Sequence, residues 1–336
     1  MGEEAQRPAG ESLKERLDEF EALFEPTPVL PVQLTVGGRP RTVHLKLEGR
    51  NVAGSIKART AYGLVRGLAR SGRLRPGGKL LESTSGNLGI ALAMLARHLG
   101  VGFTAVVDPL VSRESLEQLT GLGAVLDVVR ERDPTGGYLL SRLARVRELQ
   151  ARDSAYVWPN QYGNPDNPAI HREMTGPELL KQLPRPADAV FAAISTGGTF
   201  CGLSQFFRQH SPATRMVAVD IEGSVAFRGT PGNRYLPGIG ASRASSFLDP
   251  SLVDRFDCAN IHEAAYYCRL VLRDCGLHIG ASAGAVVAAC CRYLEQHPDT
   301  GLVVCLCADG GEKYAGTVYS DDWLRTIGVD PPVLPR

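Results

Sequence analysis

Residues 51–64 read NVAGSIKARTAYGL, a Gly-Ser turn that delivers one lysine, Lys57, to the mouth of a helical pattern. The chain carries only six lysines (Lys14, Lys46, Lys57, Lys79, Lys181 and Lys313) among 37 basic residues, so one at a helix start, where the dipole disfavours a cation, needs a reason. Lys57 is either a solvated surface charge or a nucleophile, and the sequence around it decides which.

Outward from this turn, TVHLKLE (residues 42–48) alternates apolar and polar residues, the pattern of a strand facing a core on one side. Later runs at 79–82, 103–108, 124–129, 189–194, 216–221 and 302–308 are continuously apolar and bounded by turns, as strands buried on both faces are. Helical patterns fall between them at 88–99, 113–121, 138–150, 201–210, 262–275 and 285–296. Strand and helix thus alternate once before about residue 130 and again after about 187, which predicts an α/β protein with two parallel-sheet units. WPNQYGNPDNP (158–168) is dense in Pro, Asn and Gly and is read as the crossover between them.

The totals set limits. A 336-residue chain with 43% hydrophobic residues can bury a substantial core, and a net charge of +1 argues against a polyanion such as nucleic acid as the main partner. No stretch is apolar for long enough to span a bilayer, the first 24 residues lack a signal-peptide pattern, and Gln6 breaks a myristoylation signal. The eight cysteines, all between 201 and 307, lie mostly in apolar segments, and Cys305 and Cys307 alternate along a strand-like run without metal-knuckle spacing. Buried reduced thiols and a cytoplasmic location are expected, with no metal site.

Two glycine turns follow strands and open helices: STSGNLG (83–89) and STGGTFCG (195–202). Helix starts present unpaired N–H groups and a positive dipole end, glycines allow close approach, and Ser and Thr hydroxyls add donors, so such turns hold anions. Single glycine turns are common in α/β proteins, but two together point to a phosphorylated ligand. Neither matches the dinucleotide G-x-G-x-x-G or the P-loop, which favours a phosphorylated cofactor that is not a nucleotide. A third turn, IGASAGAVVAA (279–289), places Ser282 before an apolar helix, where an N-cap is the plain reading.

The order Gly-Ser-x-Lys, S-T-S-G-N, S-T-G-G-T and G-A-S-A-G resembles the fold-type II pyridoxal-phosphate enzymes of the cysteine synthase and cystathionine β-synthase family, from about Thr27 to Trp323. That resemblance implies a tryptophan synthase β-like architecture of two domains, each a mostly parallel sheet flanked by helices. Residues 50–165 would form a smaller mobile domain, and 1–49 with 166–336 a larger one carrying the phosphate loop. It implies pyridoxal 5'-phosphate as cofactor, Lys57 as the residue joined to its aldehyde, and a homodimer. It further implies that Asn87 faces the cofactor's 3-oxygen and that Thr84, Ser85 and Gly86 grip the substrate α-carboxylate. Ser195, Thr196, Gly197, Gly198 and Thr199 match the phosphate loop, and Ser282 the partner of the pyridine nitrogen. His171 matches a family histidine that reads as structural, since Lys57 can itself act as general base. The family commonly shows N-P-G-G-S-x-K-D-R where this chain has NVAGSIKAR, so Ala58 replaces an acid beside the lysine.

The stretches VVDPLVS, GGYLLSRLARVREL, NQYGNP, LPGIGASR and YSDDWL resemble the branch of that family making N-(2-amino-2-carboxyethyl)-L-glutamate for 2,3-diaminopropionate in siderophores and peptide antibiotics. This branch implies O-phospho-L-serine and L-glutamate as substrates. Such anions require cationic partners, for which Arg142 and Arg243 are candidates, with Tyr162 as a further hydrogen-bond donor. Rival readings are a cysteine synthase joining phosphoserine or acetylserine to sulfide or thiosulfate, a non-catalytic cofactor-binding homologue, and an ammonia-lyase.

Overall fold

A computed structural model of the chain describes residues 12–84, 86–134, 136–227 and 229–335. The first element described is α1 (Leu13–Glu21), started by a capping box in which Ser12 and Glu15 satisfy each other's backbone N–H groups. Strands β1 (Val29–Val36) and β2 (Arg39–Leu47) form a hairpin closed by Gly37 and Gly38, both at positive φ (57° and 74°), as a two-residue turn between twisted strands requires. After the Lys57 turn come α2 (Lys57–Arg70), β3 (Lys79–Ser83), α3 (Asn87–Leu99), β4 (Gly102–Val107), α4 (Arg113–Gly121), β5 (Val125–Val128), α5 (Leu139–Arg152) and β6 (Tyr156–Val157). The second half runs through α6 (Asp166–Ile170), a π-helical turn (His171–Thr175), α7 (Gly176–Gln182), β7 (Ala189–Ala193), α8 (Gly198–His210), β8 (Arg215–Ile221), β9 (Arg255–Ala259), α9 (Ile261–Cys275), α10 (Ala281–Gln296), β10 (Val303–Cys307) and α11 (Asp321–Thr326).

Two sheets result, one ordered β1-β2-β10-β7-β8-β9 and one ordered β5-β4-β3-β6, and every pairing except β1 with β2 is parallel. The expected α/β architecture with two parallel-sheet units is what folds. The apolar runs of the larger sheet are explained by its two covered faces. Phe191, Val217, Val219 and Cys305 pack with α9 and α10, while Val190, Met216, Ala218 and Val304 pack with residues of α7 and α8. The smaller sheet buries Leu80, Phe103 and Ala105 with residues of α1, α2 and α3, and Leu81 and Val106 with Val146 of α5.

Three sequence expectations are corrected. The run at 124–129 is not buried on both faces: β5 is an edge strand, and Val125 and Val128 are exposed, with no strand among the described residues pairing beyond it. The second face of β2 does not simply face solvent: Thr42 and His44 are half-buried there and Lys46 wholly so. Lys46 is fully buried there and bonds the Thr27 carbonyl (2.7 Å), Gln182 (2.8 Å) and Glu178. Glu178 and the buried Glu48 also hold Arg59 (2.8 and 3.0 Å), so this ionic cluster anchors the helix that begins with Lys57. Finally, the eight cysteines are free thiols, but Cys258 is exposed and Cys275 half-buried, because β9 is an edge strand and Cys275 ends α9. Among the described residues no helix is long and apolar enough to cross a membrane.

Candidate active site

Parallel α/β sheets place ligands at the carboxyl ends of their strands. Here Thr84 follows β3, Ser195 closely follows β7 and Asp309 closely follows β10, and between the two sheets lies a pocket. Lys57, Asn87, Ser195, Thr196, Gly197, Thr199 and Ser282 line it together with Gly238, Ala308 and Asp309. The structure thus brings together residues that the sequence spreads over more than two hundred positions.

Four helices start at this pocket, α2, α3, α8 and α10, and in none does the preceding residue cap the helix with its side chain. In α3 the Thr84 hydroxyl takes that place, accepting from Gly89 N at 2.8 Å. The remaining N–H groups and the summed dipoles make the pocket attractive to an anion. At the start of α8, Gly197 sits at φ +88°, and a Cβ there would come within 2.2 Å of Ser245 Oγ. The loop is braced from behind, with Ser195 Oγ donating to Gly240 O (3.0 Å) and Ser245 Oγ to Thr196 O (2.6 Å). His171 is fully buried between Thr60 (3.0 Å), Thr175 (3.0 Å) and Thr199 (3.2 Å). Burial first, then Lys57 and Arg59, hold its pKa well below the ordinary value, so it is a neutral link between α2 and the 195–199 loop.

Lys57 keeps part of its surface open to the pocket while protein surrounds its amine. Desolvation lowers its pKa to about 8, partly opposed by the carboxylate of Glu82. Glu82 is itself buried and pushed up to about 7, although Trp158 Nε1 (2.9 Å), Gln161 N (3.1 Å) and Ser83 N (2.9 Å) donate to it. Ala58 is buried, and the hydrogen bond from Ile56 N to Ala308 O (2.8 Å) ties the turn before Lys57 to the end of β10.

Beside this pocket lies a second group. Tyr162 sits under Arg243, whose guanidinium is 5.7 Å from the ring centre. Burial raises the Tyr162 pKa, while Arg142, Arg234 and Arg243 are near enough to oppose the rise. Arg142 is not the solvated helix arginine of the plain reading: it is buried and paired at 3.2 Å with the equally buried Asp108. Gly86 immediately precedes α3, and Ser85 lies outside the described residues. Sequence reasoning missed Asp309, Glu82 and Arg234. The first could have been found by its place just past an apolar strand, but Arg234 lies in a segment without periodicity.

The family profile described as pyridoxal-phosphate dependent enzyme matches residues 21–309. The chain belongs to the pyridoxal-phosphate dependent enzymes. It is 44% identical over 302 residues to N-(2-amino-2-carboxyethyl)-L-glutamate synthase of Ralstonia nicotianae, covering 90% of this chain and 89% of that protein. Its fold is similar to that of O-ureido-L-serine synthase (TM-score 0.81, 29% identity, 95% of this chain and 100% of the other). It is equally similar to the O-acetylserine dependent cystathionine β-synthase of Helicobacter pylori (TM-score 0.81, 28% identity, 90% and 98%). This is a fold-type II, pyridoxal-phosphate dependent β-replacement synthase.

The pocket fits that cofactor. An amine with a depressed pKa stands opposite a glycine loop at an open helix start, and the Ser282 hydroxyl, 2% exposed, lines the same pocket. A nucleophile for an aldehyde, a cradle for a phosphate and a neutral polar group for a ring nitrogen are all present.

Proposed function

We propose that the enzyme replaces the phosphate of O-phospho-L-serine with the amine of L-glutamate, giving N-(2-amino-2-carboxyethyl)-L-glutamate and phosphate. The observation that carries this reading is the arginine group around Tyr162 beside the cofactor pocket, since both substrates are rich in negative charge. The Ralstonia relative's name supports it.

Bound pyridoxal phosphate supplies an electron sink for negative charge at the substrate Cα. Lys57 holds the cofactor between turnovers and, once freed by substrate, its amine takes the Cα proton and later returns one there. With a pKa of about 8, a useful fraction of that amine is neutral near pH 7.5. Ser195, Thr196, Gly197, Gly198 and Thr199 fix the cofactor phosphate through the start of α8, and Asn87 and Ser282 address the 3-oxygen and the ring nitrogen. An uncharged serine does not keep that nitrogen protonated, which tempers the sink and favours chemistry at Cβ over a long-lived carbanion. Thr84, Ser85 and Gly86 hold the substrate carboxylate, while Arg234 and Arg243 orient the glutamate carboxylates.

Residues 50–165 act as the smaller domain, whose closure over 1–49 and 166–336 excludes water from the reacting groups. The packing of α1 on α2 and α3 would carry residues 13–21 with it. We place the enzyme in the cytoplasm as a homodimer, in 2,3-diaminopropionate supply for a siderophore or peptide product.

The test is a product assay pairing phosphoserine or acetylserine with glutamate or sulfide. The glutamate adduct and phosphate should appear in equal amounts. Ready turnover of sulfide with no glutamate adduct would overturn the proposal in favour of a cysteine synthase.

A further inference from the structure

Asp309 stands just past β10, 3% exposed, on the wall of the pocket. Its Oδ2 accepts from Asn87 Nδ2 at 2.7 Å and from the Tyr314 hydroxyl at 2.8 Å, with the Lys313 amine 3.6 Å away. Lys313 also donates to the other end of the same amide, Asn87 Oδ1. The main chain here is equally engaged. Asp309 forms a β-bridge with Ser55, two residues before Lys57, and its carbonyl accepts from Gly280 N at 3.1 Å, two residues before Ser282. A Cβ on Gly280 would stand 1.8 Å from Asp309 Oδ1, so only glycine admits the carboxylate. One residue therefore touches the starts of the three helices that carry Lys57, Asn87 and Ser282.

A primary amide has two N–H donors and one acceptor oxygen. With one donor on Asp309 and the oxygen on Lys313, the Asn87 amide has one orientation, and one N–H left over. Flipped, it would set its carbonyl oxygen against the Asp309 carboxylate and its NH2 against the Lys313 ammonium, which has no acceptor to offer. We infer that Asp309 is a positioning residue: it fixes the Asn87 amide so that the remaining N–H serves the cofactor's 3-oxygen. This rests on the assignment of Asn87 to that oxygen.

The experiment compares wild type, Asp309→Asn, Asn87→Ala and the double variant by cofactor titration of the apoprotein and by the visible absorption of the bound cofactor. Asp309→Asn removes the charge at constant size, and affinity should fall roughly tenfold or more, the worth of a hydrogen bond to a charged group, with a shift of the band. In the Asn87→Ala background the same change should cost less than about twofold, because the group it orients is gone. Equal losses in both backgrounds, or an unchanged band and affinity in Asp309→Asn alone, overturn the inference. If Asn87→Ala itself leaves band and affinity unaltered, the assignment of Asn87 fails instead. Should Asp309→Asn not fold, judged by circular dichroism, Tyr314→Phe carries the test: a smaller shift in the same sense, absent without Asn87, supports it, and no shift overturns it.

Discussion

The two halves of the active site are built differently. On the cofactor side Lys57, Asn87, Gly198, Thr199 and Ser282 each occupy the first turn of a helix, so the backbone of a packed element sets their positions. On the proposed acceptor side Tyr162, Arg234 and Arg243 lie in segments without helix or strand, held by side chains such as Ser242, which accepts from Arg234 at 2.6 Å. Helix starts cannot change without disturbing the core, whereas long side chains on loops can. Chemistry shared by a family belongs on the first kind of support and substrate choice on the second. The halves are not independent, because the loop bearing Arg243 also braces Ser195 and Thr196 from behind.

The largest effect that this contrast predicts is at Lys57. Lys57→Met should lower kcat by about a thousandfold or more, since the proposed nucleophile and base would be lost together. Stability should move the other way in the apoprotein. The folded amine has a pKa of about 8 against 10.5 when free, so the folded state bears the cost of charging it fully below about pH 8, and that cost fades as pH rises toward 10.5. Thermal unfolding at pH 7 should show the apo variant at least as stable as wild type. A strongly destabilised variant would mean that the lysine is a structural charge.

Next comes the loop itself. Gly197→Ala puts a methyl group at φ +88° against Ser245 Oγ, so something must shift. A cost of about 1–3 kcal/mol in stability and a clear loss of cofactor affinity are expected, read by denaturant melts and titration. On the acceptor side the fold should not notice substitution. Arg243→Ala and Arg234→Ala should raise KM for glutamate by roughly ten- to a hundredfold while leaving the melting temperature nearly unchanged. An effect of the same size on an uncharged amine acceptor would dissolve the distinction between the two halves.

The same contrast explains what the sequence disclosed. Helices at 88–99 and 113–121 and strands at 189–194 and 216–221 were legible because burial imposes a period, and the structure has α3, α4, β7 and β8 within a few residues of those bounds. The short helices and π turn of 166–182 were not, for Pro165, Pro168 and Pro177 punctuate the segment and its packing is set by α2 and α8. Lys57, Asn87, Ser195 to Thr199 and Ser282 stood out because glycine turns and hydroxyls mark helix starts. Arg142 was visible as a residue, but its buried pairing with Asp108 depends on the loop after β4 meeting α5, which no local pattern records. Asp309 stood at a legible place just past an apolar strand, but its pairing was hidden for the same reason: its partners lie 222 positions upstream at Asn87 and 5 downstream at Tyr314.

The smallest effect is the one that joins the halves. Glu82, buried in β3, is the carboxylate that opposes the lowering of the Lys57 pKa, and it bears also on Tyr162. Glu82→Gln removes an attraction for the ammonium, so the Lys57 midpoint should fall below about 8, by roughly half a unit. It can be followed in the apoprotein by the pH dependence of amine modification or of cofactor capture. Because Glu82 itself titrates near 7, the two proteins should converge at lower pH, where the wild-type carboxylate is protonated too, and diverge above it. The substitution turns an NH2 group toward Trp158 Nε1 or Gln161 N, leaving one buried donor unmatched, so a stability loss of about 1–3 kcal/mol accompanies it. A midpoint that rises, or one that stays put while the melting point drops, would show that Glu82 serves only the packing of Trp158 and does not tune the lysine.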